Sequence, residues 1–512
     1  MLKQLTHAKY LCVYGFSVDF KLLVYGDRYK TEGGKFYTRL YLRNMETGSD
    51  VLLADDAEWE YRLSWSAVMF DRNKENIFLR VDKENKRKLS NLIKINLETK
   101  EIKRLLPPDQ ENPRILPLGR YVDGSDLYFF SQISGFGNFY HFDLQTQQTT
   151  QLTFFKDNIS DFKVDRDNST LYFCLAIFEK VETQIVKLTL NGAKPSALIS
   201  HALKGSHYLV SGEGSWFSSS SIDGPLKVTE YEIGDDLKLK KELPAYHGLL
   251  TELVHNTYSY LEYETFDGKM IPAFLSLPKD ELRGAIITAF YGGEDYYSWK
   301  TQLFTELGFA VLSPAIRGSP SRGLEWQNLI KGDLGGDEIL DLHWGARYLE
   351  QKLGLEPHRI GLDGESHGGY AVLRAMTMPV GFKGIAESTY PYGFGICWAG
   401  FADLEDFYRT SNIPDWIVNL VGPYEGNEEK YRNRSPVHFF ENLKAPIFIS
   451  HGTNDPRVCP SSMEGFLDKL RHSQKEYVFH LMEGQGHGSG NQQQEILLYE
   501  RLINFLKNVL LK

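Results

Sequence analysis

The chain has few cysteines, no excess of basic residues and no long apolar run, and each absence argues against a class of protein. Its four cysteines, Cys12, Cys174, Cys397 and Cys459, are scattered, with no CxxC pair and no spacing typical of zinc ligands. A formal net charge of −10 disfavours binding to the backbone of a nucleic acid. No apolar run approaches the ~20 residues that a helix needs to cross a bilayer. We therefore expect neither a nucleic acid partner nor a membrane partner.

Motifs of two other enzyme classes are missing as well. The chain contains no HExxH pair of a metalloprotease and no GxxxxGK[ST] loop of a nucleotide-binding protein. We therefore expect no metal and no cofactor. Its first residues lack the charged start, apolar stretch and small-residue cleavage site of a signal peptide. Together with the low number of thiols, which fits a reducing compartment, this predicts a cytoplasmic protein.

What is present is the composition of a soluble globular protein, with 42% apolar and 24% charged residues. A chain of 512 residues exceeds one ordinary hydrophobic core, so two domains are expected. The sequence pattern changes near residue 250, which divides the chain into predicted domains 1–250 and 251–512.

The first half contains a repeat of short, aromatic and β-branched strands separated by polar turns. A turn begins at Asp19, Asp71, Asp123 and Asp165, and a fifth, weaker copy lies near Ser211, with steps of 52, 52, 42 and 46 residues. Each turn precedes a strand, and a third strand and another polar turn follow. Four-stranded repeats of this period are typical of propeller blades. We predict a β-propeller of about five blades, with an irregular β-sandwich as the alternative.

In the second half, apolar strands alternate with helices. Strands are predicted at 285–290, 309–312, 359–362, 446–450 and 477–481, and a helix near 460–472. Another helix is indicated by one apolar face, formed by Ile339, Leu342, Ala346, Leu349 and Leu353. This alternation predicts an α/β fold with a doubly wound, mostly parallel sheet. In such sheets, reactive groups collect at the carboxyl ends of the strands.

The sequence Gly364-Glu-Ser-His-Gly368 follows one of these strands and precedes a helix. A sharp strand-to-helix turn needs glycines around the serine, because side chains there would clash with the neighbouring backbone. The turn presents the serine hydroxyl at the start of the helix. This context favours Ser366 as a nucleophile over a purely structural turn.

A serine hydroxyl needs a histidine to take its proton and a carboxylate to orient that histidine. Asp455 and His487 each lie in a loop directly after a strand, in the chain order Ser, Asp, His of an α/β-hydrolase. Three competitors are weaker. His451 is expected to be a packed or hydrogen-bonding residue, His367 to point along the new helix, and Asp363 to cap or pair locally.

The oxyanion that develops during acyl transfer needs donors that are already in place. One donor is expected to be the backbone N–H of His367, the residue after the nucleophile. The other should come from the loop after strand 285–290, where Tyr291 offers a hydroxyl or a backbone amide. The alternative for Tyr291 is an aromatic side chain that stacks at the domain interface.

The C-terminal half resembles the prolyl oligopeptidase family of serine peptidases. The matching segments are Tyr291-Gly-Gly293, 316–319 with Gly323 and Trp326, the turn 364–369, Ser435-Pro436, 451–455 with Val458 and Pro460, and Gly486-His487-Gly488. The family combines a β-propeller with an α/β-hydrolase, which agrees with the repeat described above. The resemblance implies a triad of Ser366, Asp455 and His487, with Tyr291 as the oxyanion-hole tyrosine. It also matches Arg457 to an arginine that grips a substrate carbonyl, with a loop salt bridge as the alternative.

Three features depart from the family pattern. Family propellers usually have more blades than the five repeats counted here, Glu365 before the nucleophile is also common in esterases, and no paired-glutamate motif that would hold a peptide N-terminus is recognisable. We predict a serine hydrolase that cleaves short peptides or amides through an acyl-enzyme. The alternatives are an esterase or small-molecule deacylase with the same triad, and a non-catalytic protein whose propeller binds partners.

Overall fold

A computed structural model describes most of the chain. The structure describes all residues except 1–3, 9–10, 33–35, 64–67, 84–85, 108–114, 166–168, 195–197, 205, 210–215, 221–226, 234–236, 245–257, 291–297, 489 and 512.

The N-terminal half consists of four-stranded antiparallel units that follow one another along the chain. The first three units contain β1 (Leu11–Phe16), β2 (Leu22–Lys30), β3 (Phe36–Asn44) and β4 (Asp50–Asp55); β5 (Tyr61–Leu63), β6 (Met69–Asp71), β7 (Asn76–Lys83), β8 (Lys86–Asn96) and β9 (Ile102–Arg104); and β10 (Leu116–Asp123), β11 (Asp126–Ser131), β12 (Asn138–Asp143) and β13 (Thr149–Gln151). The last two contain β14 (Asn158–Val164), β15 (Thr170–Ile177), β16 (Glu182–Thr189) and β17 (Leu198–Lys204); and β18 (Ser206–Leu209), β19 (Trp216–Ser220), β20 (Lys227–Ile233) and β21 (Leu237–Pro244). These units are the blades of the propeller, and each predicted repeat corresponds to one of them, although Ser211, which marks the fifth, lies outside the described residues.

Neighbouring blades meet along their first strands. β6 and β10 pair in parallel, which joins the second and third blades into one nine-stranded sheet. β5 pairs with β7 beside β6, so the first strand of the second blade is broken into two pieces. The predicted propeller is therefore confirmed, and the alternative of a β-sandwich, in which two sheets face each other, is wrong.

Two of the repeated aspartates, Asp71 and Asp165, close a turn between successive strands of a blade. Asp71 accepts hydrogen bonds from the backbone N–H groups of Glu75 and Asn76, at 2.8 and 3.1 Å. Asp165 accepts equivalent bonds from Ser169 and Thr170, at 2.8 and 3.2 Å. An aspartate is suited to this position because its short side chain can bond to the backbone a few residues later. This local chemistry explains why the repeat is visible in the sequence.

The C-terminal half is built on an eight-stranded sheet with the order β22-β23-β25-β24-β26-β27-β28-β29. Its strands are β22 (Tyr258–Glu264), β23 (Met270–Ser276), β24 (Gly284–Thr288), β25 (Phe309–Pro314), β26 (Ile360–Glu365), β27 (Phe394–Trp398), β28 (Ile447–Gly452) and β29 (Tyr477–Met482). β23 pairs antiparallel with both β22 and β25, and the pairs from β25 to β29 are parallel. The predicted mostly parallel sheet is confirmed.

Helices cover both faces of this sheet. They are α1 (Trp299–Glu306), α2 (Gly323–Asn328), α3 (Asp337–Leu353), α4 (His367–Thr377), α5 (Leu404–Thr410), α6 (Pro414–Val421), α7 (Glu428–Arg434), α8 (Ser461–Arg471) and α9 (Gln492–Leu510). α3, α4 and α8 bury their apolar sides in one core, and α1 and α9 contribute to the core on the opposite face. The apolar face predicted for α3 is confirmed, because Ile339, Leu342, Ala346 and Leu349 are fully buried. Among the helices described, none is long and apolar enough to span a membrane.

Blades two, three and four all contact the C-terminal half. α6 lies against β8. The backbone N–H of Leu324 in α2 donates to the carbonyl of Gly135, in the turn between β11 and β12, at 2.6 Å. The rings of Phe178, which follows β15, and Phe274, in β23, are 6.0 Å apart. The predicted domain boundary at residue 250 falls in segment 245–257, outside the described residues, so it stays a prediction.

Candidate active site

The turn that carries Ser366 is sharply strained. Ser366 has φ 58° and ψ −114°, a backbone conformation that non-glycine residues rarely adopt. A side chain at Gly364 would meet the backbone of Gly368 at 2.3 Å, and one at Gly369 would meet the backbone of Trp398 and Gly400 at 2.8 Å. Glycine is therefore required at 364 and 369, whereas a Cβ at Gly368 would find ordinary contact distances, 3.5 Å at the closest.

Three side chains meet at the carboxyl edge of the sheet. The Nε2 atom of His487 lies 2.9 Å from the hydroxyl oxygen of Ser366, and its Nδ1 atom lies 2.6 Å from Oδ2 of Asp455. An ionised carboxylate only accepts hydrogen bonds, so Nδ1–H donates to Asp455. Nε2 of the neutral imidazole is then free of a proton and accepts the hydroxyl of Ser366. The arrangement suits transfer of the serine proton to His487.

The Asp455 carboxylate is fixed by its neighbours on both oxygens. Oδ1 accepts the backbone N–H groups of Arg457 and Val458, at 2.9 and 3.0 Å, while Oδ2 faces His487. Burial alone would raise the pKa of the Asp455 carboxyl, but the hydrogen bonds from His487 and from these backbone groups outweigh it and lower the pKa below its ordinary value. Asp455 is thus held in its charged form opposite His487.

The loops that carry Asp455 and His487 are joined by hydrogen bonds that backbone N–H groups donate. The N–H of Asn454 donates to the carbonyl of Gln485 at 2.8 Å, and the N–H of Gly484 donates to the hydroxyl of Thr453 at 2.8 Å. A side chain at Gly452 would meet the carbonyl oxygens of Gly486 and Gln485 at 2.2 and 2.6 Å. Only glycine permits this approach, which sets the position of His487 relative to Asp455.

An apolar wall lies beside the nucleophile. The ring of His367 packs 4.0 Å from Phe290 and 5.0 Å from Trp416. Burial lowers the pKa of the His367 imidazole to about 3, so the ring stays neutral and acts as part of the wall. Trp416 and the buried residue Val458 belong to the apolar cluster that surrounds α5 and α6. Through Trp416, α6, which also touches the second blade, packs against His367, the residue after Ser366.

The weaker candidates for the triad have other partners. His451 is buried, and its Nε2 atom lies 2.8 Å from the carbonyl of Val458, to which it donates. The same Nε2 atom is 3.8 Å from Oδ2 of Asp455, whereas Nδ1 of His487 is only 2.6 Å from that oxygen. Asp363 is buried below the turn and accepts the indole N–H of Trp398 at 2.5 Å. Neither side chain reaches Ser366 with a hydrogen bond.

The structure describes two of the three remaining predicted site residues. Tyr291 lies outside the described residues. His367 is the first residue of α4, and a helix begins with backbone N–H groups that its internal hydrogen bonds do not use. Arg457 is exposed beside Asp455, and its side chain forms no ion pair with any described residue, so the salt-bridge alternative is not supported. In the described part of the chain, no group of three or more His, Cys, Asp or Glu residues is placed to hold a metal ion.

Sequence reasoning missed the residues that align the site. The loop between α5 and α6 is tied to the Asp455 loop, because the hydroxyl of Ser411 donates to the carbonyl of Arg457 at 2.6 Å and the N–H of Asn412 donates to that of Pro456 at 2.9 Å. The position of Gly452, between His451 and the polar loop, was visible in the sequence. The reason for a glycine there is visible only in the structure, where the His487 loop packs against it.

Comparisons with known proteins agree with this geometry. Residues 295–512 match the model of the prolyl oligopeptidase family. The uncharacterized peptidase YuxL of Bacillus subtilis is 28% identical over 225 residues, which are 42% of this chain and 33% of that protein. Dipeptidyl-peptidase 5 of Porphyromonas gingivalis is 26% identical over 178 residues, 34% of this chain and 25% of that protein. The chain therefore matches only a third or less of the length of these relatives.

A solved structure extends the likeness to nearly the whole chain at the level of the fold. The structure of a Mycobacterium tuberculosis puromycin-hydrolyzing peptidase superposes with a TM-score of 0.78 at 16% identity, covering 97% of this chain and 78% of that one. On these findings, the C-terminal region of the chain, residues 295–512, is similar in sequence to the prolyl oligopeptidase family, and nearly the whole chain shares the fold of a puromycin-hydrolyzing peptidase.

Proposed function

We propose that this protein is a serine hydrolase that cleaves short peptides or amides through an acyl-enzyme. The observation that carries the proposal is the continuous chain of hydrogen bonds from Asp455 through His487 to the hydroxyl of Ser366. Ser366 is the proposed nucleophile, His487 the general base and Asp455 the residue that orients the base and stabilises its charged form.

The proposed reaction begins with attack of the Ser366 oxygen on the substrate carbonyl carbon, while its proton passes to Nε2 of His487. The oxyanion receives hydrogen bonds from the backbone N–H of His367 and from Tyr291. The tetrahedral intermediate then collapses, His487 gives the proton to the leaving amine, and an acyl-enzyme remains. Water, deprotonated by His487, attacks the acyl-enzyme and releases the acid.

The contacts between the halves favour short substrates. Three blades contact the catalytic half, and one of these contacts is made by α6 beside the proposed triad, so the propeller restricts access to Ser366. The apolar wall around Trp416 supports an apolar group next to the scissile bond. Arg457 is the proposed ligand of a substrate carbonyl, and its exposure beside Asp455 supports this role. Peptidase names among the relatives point the same way.

Two further statements belong to the proposal. The proposed domains are 1–250 and 251–512, with the division between the last strand of the propeller, which ends at Pro244, and the first strand of the catalytic sheet, which begins at Tyr258. The proposed compartment is the cytoplasm, which is supported by four cysteines that are all free thiols.

Covalent labelling tests the nucleophile. A fluorophosphonate probe should label the wild type and the matched variant Ser49→Ala, whose serine lies in an exposed turn of the first blade. The Ser366→Ala variant should not be labelled. His487→Ala should lower kcat by several orders of magnitude while the protein stays folded. Labelling that survives Ser366→Ala would place the nucleophile elsewhere.

A substrate panel separates peptidase from esterase activity. Chromogenic aminoacyl and acyl-aminoacyl amides are compared with simple esters on the same preparation, and the activity assigned is the part lost in Ser366→Ala. Turnover of the amides supports the peptidase. Turnover confined to esters would assign the same triad to an esterase or deacylase.

A further inference from the structure

A cavity lies between the third blade and the catalytic half, and none of the triad residues lines it. Its volume is about 680 Å³, which is within the range of small-molecule sites. The turn between β11 and β12 and the segment after β13 form one wall, and the β22–β23 turn and α2 form the other. The three triad residues instead follow β26, β28 and β29, on the other side of β24 in the sheet. We call this cavity the seam cavity.

The apolar part of the seam cavity is unusually open to solvent. Phe154 of the propeller is 75% exposed and Met270 of the catalytic half is 47% exposed, and both line the cavity. Trp326 also lines it, but its indole N–H donates to the carbonyls of Ala315 and Ile316, so only the ring faces a ligand. Exposed apolar side chains that gather at a concave domain interface indicate a binding site.

The charged residues of the seam cavity are mostly positive. Arg322, Lys156 and Lys269 line it with Glu325 as the single carboxylate. Lys269 is paired with Asp267 at 2.9 Å, whereas Lys156 is exposed and forms no ion pair with any described residue. Among the residues that line the cavity there are thus three cations and one carboxylate, in a chain whose net charge is −10.

Arg322 is held in place by aromatic rings. Its guanidinium lies 4.7 Å from the ring centre of Phe178 in the propeller and 5.7 Å from that of Tyr260 in the catalytic half. Within the described residues, its buried Nε and Nη2 atoms have no hydrogen-bond partner, and the nearby carboxylates of Glu179 and Glu262 interact with its charge without forming an ion pair. A guanidinium that is fixed against aromatic rings and has no carboxylate within ion-pair distance can attract an anion that enters the cavity.

We propose that the seam cavity binds an amphiphilic carboxylate, with the carboxylate near Arg322 and Lys156 and the apolar body against Phe154 and Met270. Two sources share this chemistry, the C-terminal end of a peptide with an apolar last residue and a free aryl or alkyl carboxylic acid. Because the walls come from both halves of the protein, a bound ligand stabilises their docked arrangement and raises the unfolding temperature. The proposal does not depend on the proposed hydrolase activity.

Binding is measured by titration calorimetry on the full chain carrying Ser366→Ala, so that peptides are not turned over. The probes are N-acetyl-glycyl-phenylalanine and 4-phenylbutyrate, each compared with its uncharged amide. We expect at least one acid to bind at least about tenfold more tightly than its amide, because the amide lacks the charge that interacts with the two cations. Which acid binds identifies the source of the natural ligand.

Two exposed residues give variants that should fold normally. Lys156→Glu and Phe154→Ala should each raise the Kd of the acid about fivefold or more. The matched controls are Lys103→Glu and Phe20→Ala, which change an exposed lysine and an exposed phenylalanine in other blades and should leave the Kd unchanged. Equal binding of acid and amide, no binding of either acid, or an unchanged Kd in both cavity variants would overturn the proposal.

Discussion

Replacing Asp455 with asparagine tests whether the carboxylate sets the tautomer of His487. The side chain keeps its size, but one of its two oxygens becomes an NH2 group that only donates. At Oδ1, two backbone N–H groups point at the side chain from 2.9 and 3.0 Å. The introduced asparagine must place its oxygen there, because the opposite orientation leaves two buried donors facing a donor, at about 1–3 kcal/mol each. The new NH2 group therefore faces Nδ1 of His487.

The substitution prevents His487 from accepting the proton that Ser366 must release. His487 can accept a hydrogen bond from the NH2 group only when Nδ1 carries no proton, so the proton of the neutral ring moves to Nε2. Nε2–H then points at the hydroxyl of Ser366, 2.9 Å away, and cannot take its proton. We expect kcat to fall about 10⁴-fold, as in comparable triads, which corresponds to about 5.5 kcal/mol of transition-state stabilisation.

The assay is steady-state hydrolysis of the best amide substrate, with circular dichroism and the unfolding temperature as controls for folding. KM should change little, because Asp455 contacts His487 rather than the substrate. The Ser366→Ala/Asp455→Asn double variant should be no slower than Ser366→Ala, since residues that act as a unit are not additive. A folded Asp455→Asn variant whose kcat is within tenfold of the wild type would refute the reasoning.

The same site supports four further predictions. Gly452→Ala should lower kcat about 10²-fold because the new methyl group displaces the His487 loop, while Gly486→Ala, which meets nothing within 4 Å, should be nearly silent in the same kinetic assay. Tyr291→Phe should lower kcat by about 10²–10³ with little change in KM; an effect on KM alone would make the residue a packing or binding group. The pKa of the Asp455 carboxyl is lower in the folded than in the unfolded protein, so the ionised carboxylate contributes fully to the free energy of unfolding above about pH 4. This contribution is lost as the pH falls through the pKa of the folded protein. In acid unfolding experiments, Asp455→Asn should therefore lose less stability than the wild type over this pH range. The kcat/KM of a cleavable peptide should fall steeply with its length, and rapid digestion of denatured casein by Ser366-dependent activity would contradict a propeller that limits access.

Much of the architecture is local and was therefore predictable. The blade repeat is visible because an aspartate closes the first turn of a blade, as Asp71 does through two backbone N–H groups. Helix α3 was recognisable from an apolar face of five residues, four of which are fully buried in the structure. Strand β27 and the antiparallel pair β22 and β23 were not predicted, because short buried strands lack a periodicity that distinguishes them from other apolar segments.

The candidate triad was also suggested by the sequence, because each member directly follows a strand or lies in the first loop after one. The sequence did not suggest how the three side chains are aligned. The close approach at Gly452, the link from Ser411 to the Asp455 loop and the apolar wall at Trp416 all join segments far apart in the chain. No local pattern encodes these contacts.

The sequence by itself determined the class of each half, the order of the proposed catalytic residues and the turn that strains Ser366, because these depend on residues within a few positions of one another. The tertiary structure alone decided how closely His487 approaches the serine, how the Asp455 carboxylate is oriented, and where the seam cavity brings Arg322 and Phe154 together. The physical reason is that hydrogen-bond geometry and charge environment depend on distances across the fold, and these are fixed only when the two halves and their loops are packed.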